Sequence, residues 1–273
     1  MIFIFTEALK ASGLGHLGRC TALGEILQES GEEVSIILHT DGTGLGGQNE
    51  IPIQPMNWKV KTTLENFLSK NKVNTSIIDS YLASETIYQI LFRSSEKLVC
   101  IDDTNRITYP QNSIILNPGF GGNYINYDKS RNSVFTGTEY VLLRKSFREN
   151  FSLPKIKDKI ESILITVGGS DSNNLVPQIL HVINNKGFHL CKKMVIVGPG
   201  FKNIQEIKKK GAENTFLQEG LDAKQIRDLM LSVDFAITAG GQTTYELTRC
   251  GIPFLIIQTA DNQERNIKGF FEL

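Results

Sequence analysis

His16 lies in the glycine-rich stretch Ser12-Gly13-Leu14-Gly15-His16-Leu17-Gly18-Arg19, after a short apolar run and before a helical pattern. Glycines there let the backbone bend tightly and approach a ligand, and free N–H groups at the helix start suit an anion. The letters G-L-G-H-L-G match a dinucleotide fingerprint, but no acidic residue ends the second strand, where His39 and Thr40 stand instead. An imidazole titrating near pH ~6.5 is the side chain best suited to take a proton from water at neutral pH. His16 is therefore a candidate general base, with helix capping or packing as the other reading. Arg19, one turn on, could meet a phosphate or form a salt bridge.

A second stretch, Ile237-Thr238-Ala239-Gly240-Gly241-Gln242-Thr243-Thr244-Tyr245-Glu246, again reads strand, glycines, helix. Amides at Gly241, Gln242 and Thr243 would face a diphosphate from a helix start, a cradle needing neither lysine nor metal. Glu246, about one turn in, could accept ribose hydroxyls or merely favour the helix dipole. In Thr166-Val167-Gly168-Gly169-Ser170-Asp171 the glycine pair allows close approach of a ligand or of the other domain, and Asp171 reads as a helix cap. Gly198-Pro199-Gly200 reads as a tight turn closing a strand. Asp79-Ser80-Tyr81 and Asp102-Asp103 place carboxylates at strand ends, where they could orient His16, bind sugar hydroxyls or serve as turn residues. None of these acids has the spacing of a metal motif, so no metal site and no cofactor is expected.

The elements that must hold these residues alternate along the chain. Apolar runs at 2–5, 34–38, 76–78, 97–101 and 113–116 read as buried strands, with helical patterns at 17–28, 62–69 and 84–92 between them. Residues 51–58, with Pro52 and Pro55, read as a strand-like connector. The polar stretch 144–159 reads as a linker. Strands at 162–167, 193–197, 215–217, 235–238 and 254–257 then resume, with helices near 175–185, 204–210, 223–232 and 244–250. The expected fold is α/β: two Rossmann-like domains, 1–150 and 151–273, facing a cleft. The first would carry the His16 loop and the second the phosphate-binding loop.

The 273 residues are 40% hydrophobic and 21% charged, which suits a globular chain and excludes disorder. Lys+Arg and Asp+Glu number 29 each, so no global basic field exists to hold nucleic acid or an anionic membrane. Cys20, Cys100, Cys191 and Cys250 form no C-x-x-C pair, which favours reduced thiols and a cytoplasmic location over a zinc or disulfide framework. The N-terminal apolar run is too short for a signal peptide or membrane span and carries Glu7 at once, so it reads as a first buried strand without stable membrane insertion. The sequence leaves the oligomeric state open.

Five motifs occur in order: Gly13-x-Gly15-His16-x-x-Arg19, Asp79-x-Tyr81, Gly137-x-x-Tyr140-x-Leu142-Leu143-Arg144, Gly168-Gly169-Ser170-Asp171, and Ala239-Gly240-Gly241-x-Thr243-x-Tyr245-Glu246 followed by Asn262-Gln263. Together they resemble the UDP-sugar hydrolases of the pseudaminic acid pathway and their spore-coat polysaccharide relatives. The resemblance implies a GT-B fold like that of the MurG-type glycosyltransferases, with the nucleotide held mostly by the C-terminal domain. It implies attack of water on the anomeric carbon of UDP-2,4-diacetamido-2,4,6-trideoxy-β-L-altropyranose, with UDP leaving and inversion at that carbon. By the same resemblance His16 is the general base. Gly13, Gly15, Arg19, Asp79, Tyr81, Gly168, Gly169, Gly240, Gly241, Gln242, Thr243, Glu246, Asn262 and Gln263 are the residues expected to contact the nucleotide sugar, with Gly240, Gly241 and Glu246 at the diphosphate and ribose by the resemblance. Where many relatives read Asp-His-Tyr, this chain has Asp79-Ser80-Tyr81, so a second histidine gives no help. The sequence stops soon after Asn262-Gln263, whereas a GT-B protein commonly ends with helices that pack back across its cleft. A glycosyltransferase using a UDP-N-acetyl-sugar donor, or a non-catalytic sugar-nucleotide-binding protein, would share much of this pattern.

Overall fold

The computed structural model describes residues 1–10, 13–45, 51–185 and 187–272; Ser12 of the glycine-rich stretch lies outside them. The chain divides into two compact units, Met1–Arg144 with Glu264–Leu273, and Lys145–Gln263. Both are Rossmann-like α/β units built on an all-parallel sheet.

The first unit holds strands β1 (Ile2–Ala8), β2 (Val34–Thr40), β3 (Ile53–Pro55), β4 (Thr75–Asp79), β5 (Lys97–Ile101), β6 (Ile114–Pro118) and β7 (Ser133–Gly137), with helices α1 (Gly15–Glu29), α2 (Lys61–Leu68) and α3 (Glu85–Ser94). Its sheet runs β3-β2-β1-β4-β5-β6-β7, so the strand order reverses beside β1, between it and β4. All seven residues of β1 are buried, which suits a continuous apolar run covered on both faces. Side chains alternate between those faces. Phe3 and Phe5 join Trp58, Leu64, Phe67 and Tyr88 on the α2 and α3 side, whereas Ile2 and Ile4 join Leu17 and Cys20 of α1 on the other. Each such buried side chain contributes roughly 1.5–3 kcal/mol of transfer free energy. Within the 51–58 segment three residues pair with β2 as the edge strand β3, where Pro55 can lack an amide without breaking a ladder.

The second unit contains α4 (Lys145–Arg148), then β8 (Ser162–Thr166), α5 (Leu175–Asn185), β9 (Lys192–Val197), α6 (Ile204–Lys210), β10 (Thr215–Glu219), α7 (Ala223–Leu231), β11 (Phe235–Ala239), α8 (Thr243–Arg249) and β12 (Phe254–Ile257). The sheet order β10-β9-β8-β11-β12 places its reversal between β8 and β11. Asp222 and Gln225 form a reciprocal capping box that starts α7.

The unit boundaries differ from those expected at 150 and 151. The stretch 145–149 belongs to the second unit because Arg227 of α7 donates to Ser146 O and Glu149 Oε2, both at 2.9 Å. The last helix, α9 (Glu264–Phe271), belongs to the first unit. Phe270 packs on Phe120 at a ring-centroid distance of 4.9 Å, and Lys268 lies 4.6 Å from the centre of the Tyr124 ring. Gly269 is essential to that seat, since a Cβ there would fall 2.1 Å from Phe120 Cβ. Among the described residues no helix is long and apolar enough to cross a membrane.

Candidate active site

In the first unit the loops after β1, β4 and β5 meet at the carboxyl ends of the strands where the order reverses, the place at which open α/β sheets bind ligands. His16 is the second residue of α1 and Arg19 lies three residues on, so the two share a helix face. Asp79 ends β4, and Asp103 follows β5 by two residues. His16 Nδ1 lies 2.7 Å from Asp79 Oδ1. Arg19 donates to both oxygens of Asp79, Nε to Oδ2 at 2.5 Å and Nη2 to Oδ1 at 2.6 Å. Its Nη1 and Nη2 also donate to the two oxygens of Asp103, each at 2.8 Å. Tyr81 OH donates to Asp103 Oδ2 at 2.5 Å, and its ring meets the imidazole edge to face at 4.4 Å and 87°.

Electrostatics follow from this order. Asp79 is fully buried, which favours its neutral form, but the Arg19 cation, His16 and their hydrogen bonds overcome that and hold its carboxyl well below the usual range. A carboxylate so charged accepts, and therefore the proton of neutral His16 is assigned to Nδ1 and the lone pair to Nε2. Burial disfavours imidazolium, yet the Asp79 charge and hydrogen bond outweigh it and raise the His16 pKa above 6.5. The ring is only 7% exposed. Both hydrogen-bond contacts of the ring are made by Nδ1, and Nε2 makes none among the described residues.

The acidic strand ends therefore divide by task. Asp79 orients His16, whereas Asp102 is a buried turn residue that accepts from the amides of Thr104 and Asn105 and from Tyr127 OH. Of the two readings of Arg19 the salt bridge is the one observed: its guanidinium pairs with the carboxylates of Asp79 and Asp103. Gly13 adopts φ +74°, where a Cβ would be strained, and around both Gly13 and Gly15 there is open space. The sequence offers Asp103 only within the Asp102-Asp103 pair, as a carboxylate that could orient His16, and does not mark Glu7 as a site residue. Glu7 is fully buried; it accepts from Ser80 Oγ at 2.5 Å and Tyr81 N at 3.0 Å, which fixes the turn that carries Asp79 and Tyr81. A carboxylate inside a fully buried and mostly apolar first strand is the available signal.

In the second unit the 168–169 and 240–241 loops follow the adjacent strands β8 and β11 at the other reversal of strand order. Gly169 O accepts from Gly200 N at 2.9 Å, and a Cβ on Gly198 would lie 2.5 Å from that same oxygen. The Gly198-Pro199-Gly200 turn thus packs directly on Gly169. Asp171 caps α5, accepting from Leu175 N at 2.7 Å and Val176 N at 3.0 Å. The amides of Gly241 and Thr243 have no partner among the described residues. The Gly240 amide does not share that freedom: it donates to Gln263 Oε1 at 3.2 Å, which also accepts from Thr259 N and Thr259 Oγ1. Gln263 accordingly ties the 240 loop to the segment after β12, with exposed Asn262 beside it. Glu246 is 3% exposed and already engaged, so it is not offered to solvent. Among the described residues no group of His, Cys, Asp and Glu side chains could hold a metal ion.

Two parallel sheets of this order, each with glycine loops at its central strand ends, define a GT-B-type α/β protein. The structure resembles that of MurG from Acinetobacter baumannii, with a TM-score of 0.62 at 16% identity over 99% of this chain and 83% of that one. In sequence the chain is 28% identical, over 99% of its length, to the Helicobacter pylori protein named pseudaminic acid cytidylyltransferase and UDP-2,4-diacetamido-2,4,6-trideoxy-beta-L-altropyranose hydrolase, and spans 46% of that protein. It is 23% identical to the spore coat polysaccharide biosynthesis protein SpsG of Bacillus subtilis, over 98% of this chain and 80% of that one. No family model matches the sequence. The resemblance carried by the five motifs is the one these comparisons return.

Proposed function

We propose that this chain is a hydrolase that cleaves a UDP-linked amino sugar at its anomeric C–O bond, with UDP-2,4-diacetamido-2,4,6-trideoxy-β-L-altropyranose as substrate. The His16–Asp79 pair carries the reading: a buried carboxylate fixes Nδ1–H and leaves the Nε2 lone pair to receive a proton. Water attacks the anomeric carbon on the face opposite the leaving group, its proton passes to His16 Nε2, and the C–O bond to UDP breaks with inversion. The imidazolium so formed is stabilised by Asp79. UDP is a good leaving group, so electrostatic stabilisation at the diphosphate suffices without a strong general acid.

The second unit holds the nucleotide in this proposal. The free amides of Gly241 and Thr243 and the neighbouring Gln242 meet the diphosphate, and the open space around Gly168, next to Gly169, leaves room for its approach. Gln263 holds that loop through the Gly240 amide, and Asn262 and Glu246 are assigned to the nucleotide side of the site by the motifs that carry them. Gly13, Gly15 and Tyr81 bound the sugar, while Asp79 and Arg19 position the base. The four cysteines are free and buried, which accords with a cytoplasmic enzyme. The substrate class draws its support from the name of the Helicobacter relative and from the motifs.

The test is to mix the purified protein with the UDP-sugar and no acceptor. Stoichiometric release of UDP and free reducing sugar is the expected result. UDP release that requires an added acceptor hydroxyl would replace hydrolysis by glycosyl transfer, and binding without turnover would make the chain a sugar-nucleotide-binding protein.

A further inference from the structure

We propose that Asp103 is a positioning residue for His16, acting through Arg19 and Tyr81 without touching the substrate. Two chains of contact leave its carboxylate and both end on the imidazole. One passes through the guanidinium: Asp103 accepts from Nη1 and Nη2 of Arg19, whose Nε and Nη2 hold Asp79, whose Oδ1 holds His16 Nδ1. The other passes through Tyr81, whose hydroxyl is spent on Asp103 Oδ2 and whose ring packs against the imidazole. Asp103 is thus the one side chain of the group that fixes the ring from both sides. It lies 84 positions from Arg19 in sequence, and only the adjacency of β1, β4 and β5 brings it there.

The charged and titratable groups facing His16 are Arg19 from α1, Asp79 and Tyr81 from the end of β4, and Asp103 from the end of β5; the Cys20 thiol faces Asp79 at 3.5 Å. Arg19 Nη2 stands 3.4 Å from Nδ1, so the guanidinium opposes protonation of the ring while both carboxylates favour it. With Asp103 neutral, one positive charge is left against one carboxylate instead of two. The guanidinium fork also loses its outer partner, and Tyr81 loses its anchor. His16 should then release its proton at lower pH and sample orientations that the intact group forbids. This inference rests on His16 being the base, but its first readout does not require any reaction.

The experiment compares the substrate-free wild type with Asp103→Asn by NMR titration of the His16 ring, followed by turnover of the UDP-sugar. The expected result is a titration midpoint lower by about half a pH unit or more, with kcat reduced about tenfold and KM within about threefold. A residue that merely braces the fold would lower stability and leave that midpoint alone. A folded Asp103→Asn protein whose midpoint stays put, or whose midpoint moves while kcat does not, overturns the proposal. Should Asp103→Asn fail to fold, Tyr81→Phe deletes only the hydroxyl that reaches Asp103. A smaller shift of the midpoint in the same direction is then expected, and no shift overturns the proposal. If the wild type turns over no UDP-sugar the hydrolase reading fails, and the titration comparison still decides the role of Asp103.

Discussion

Replacing Asp79 by Asn exchanges one carboxylate oxygen for NH2 at a point where donors converge from every side. Oδ1 accepts from His16 Nδ1 and Arg19 Nη2, and Oδ2 accepts from Arg19 Nε and Cys20 Sγ. An amide cannot satisfy both ends. With its NH2 toward Arg19, a buried guanidinium faces donors and loses a charge partner; with its NH2 toward His16, the ring must carry its proton on Nε2 and has no lone pair for water. Removing one partner of a buried ion pair costs about 3–5 kcal/mol, a large part of the ~5–15 kcal/mol that holds a domain. A forced wrong tautomer in a comparable histidine–carboxylate pair costs about 10⁴ in kcat, or about 5 kcal/mol of barrier. Urea unfolding should therefore show a loss of about 3 kcal/mol or more, and UDP release per folded molecule should fall at least a thousandfold. Stability within about 1 kcal/mol of wild type together with kcat within about threefold would refute the reasoning about this carboxylate.

Turnover requires neutral His16, and since the folded protein raises its pKa, activity should rise with pH through a midpoint above 6.5; a midpoint at or below 6.5 would contradict the Asp79 interaction. In stability the signs are opposite: the His16 contribution is present below 6.5 and is lost as pH rises through the raised value, whereas that of Asp79 is present above 3.8 and is lost as pH falls through its depressed value, which urea midpoints across pH can follow. Gln263→Ala removes the acceptor shared by Gly240 N, Thr259 N and Thr259 Oγ1; a loss of about 1–3 kcal/mol in UDP binding by calorimetry is expected, and unchanged affinity would separate this clamp from the nucleotide site. Gly198→Ala drives a methyl against the backbone oxygen of Gly169, so thermal unfolding should show destabilisation of about 1–3 kcal/mol, while unchanged stability would mean that the two turns are less closely packed.

Much of this was legible in the sequence, for identifiable reasons. The long apolar runs are central strands buried on both faces, and glycines punctuate the strand ends, so β1, β4, β8 and β11 and the loops that leave them could be read directly. His16 and Asp79 were visible as a basic and an acidic side chain at such ends. Their partnership was not, because it depends on which strands are neighbours. Arg19 was ambiguous for the same reason: the two carboxylates that occupy it lie 60 and 84 positions away. The edge strand β7, Ser-Val-Phe-Thr-Gly, was missed since it alternates polar residues with the exposed Phe135 and lacks a buried run. Helix α9 was missed as well: its short, polar stretch is held by packing of Gly269 and Phe270 on Phe120, which local pattern cannot reveal. The 240 loop read correctly as strand, glycines and helix, but the capture of the Gly240 amide by Gln263 is a contact across 23 positions.

The most direct test of the mechanism is His16→Ala, assayed for both UDP-sugar turnover and UDP affinity. If Nε2 of that ring takes the proton of water while the second unit holds the nucleotide, turnover should be abolished and UDP should bind within a few fold of wild type. Near-normal turnover in the variant would contradict the assignment of His16 as the base.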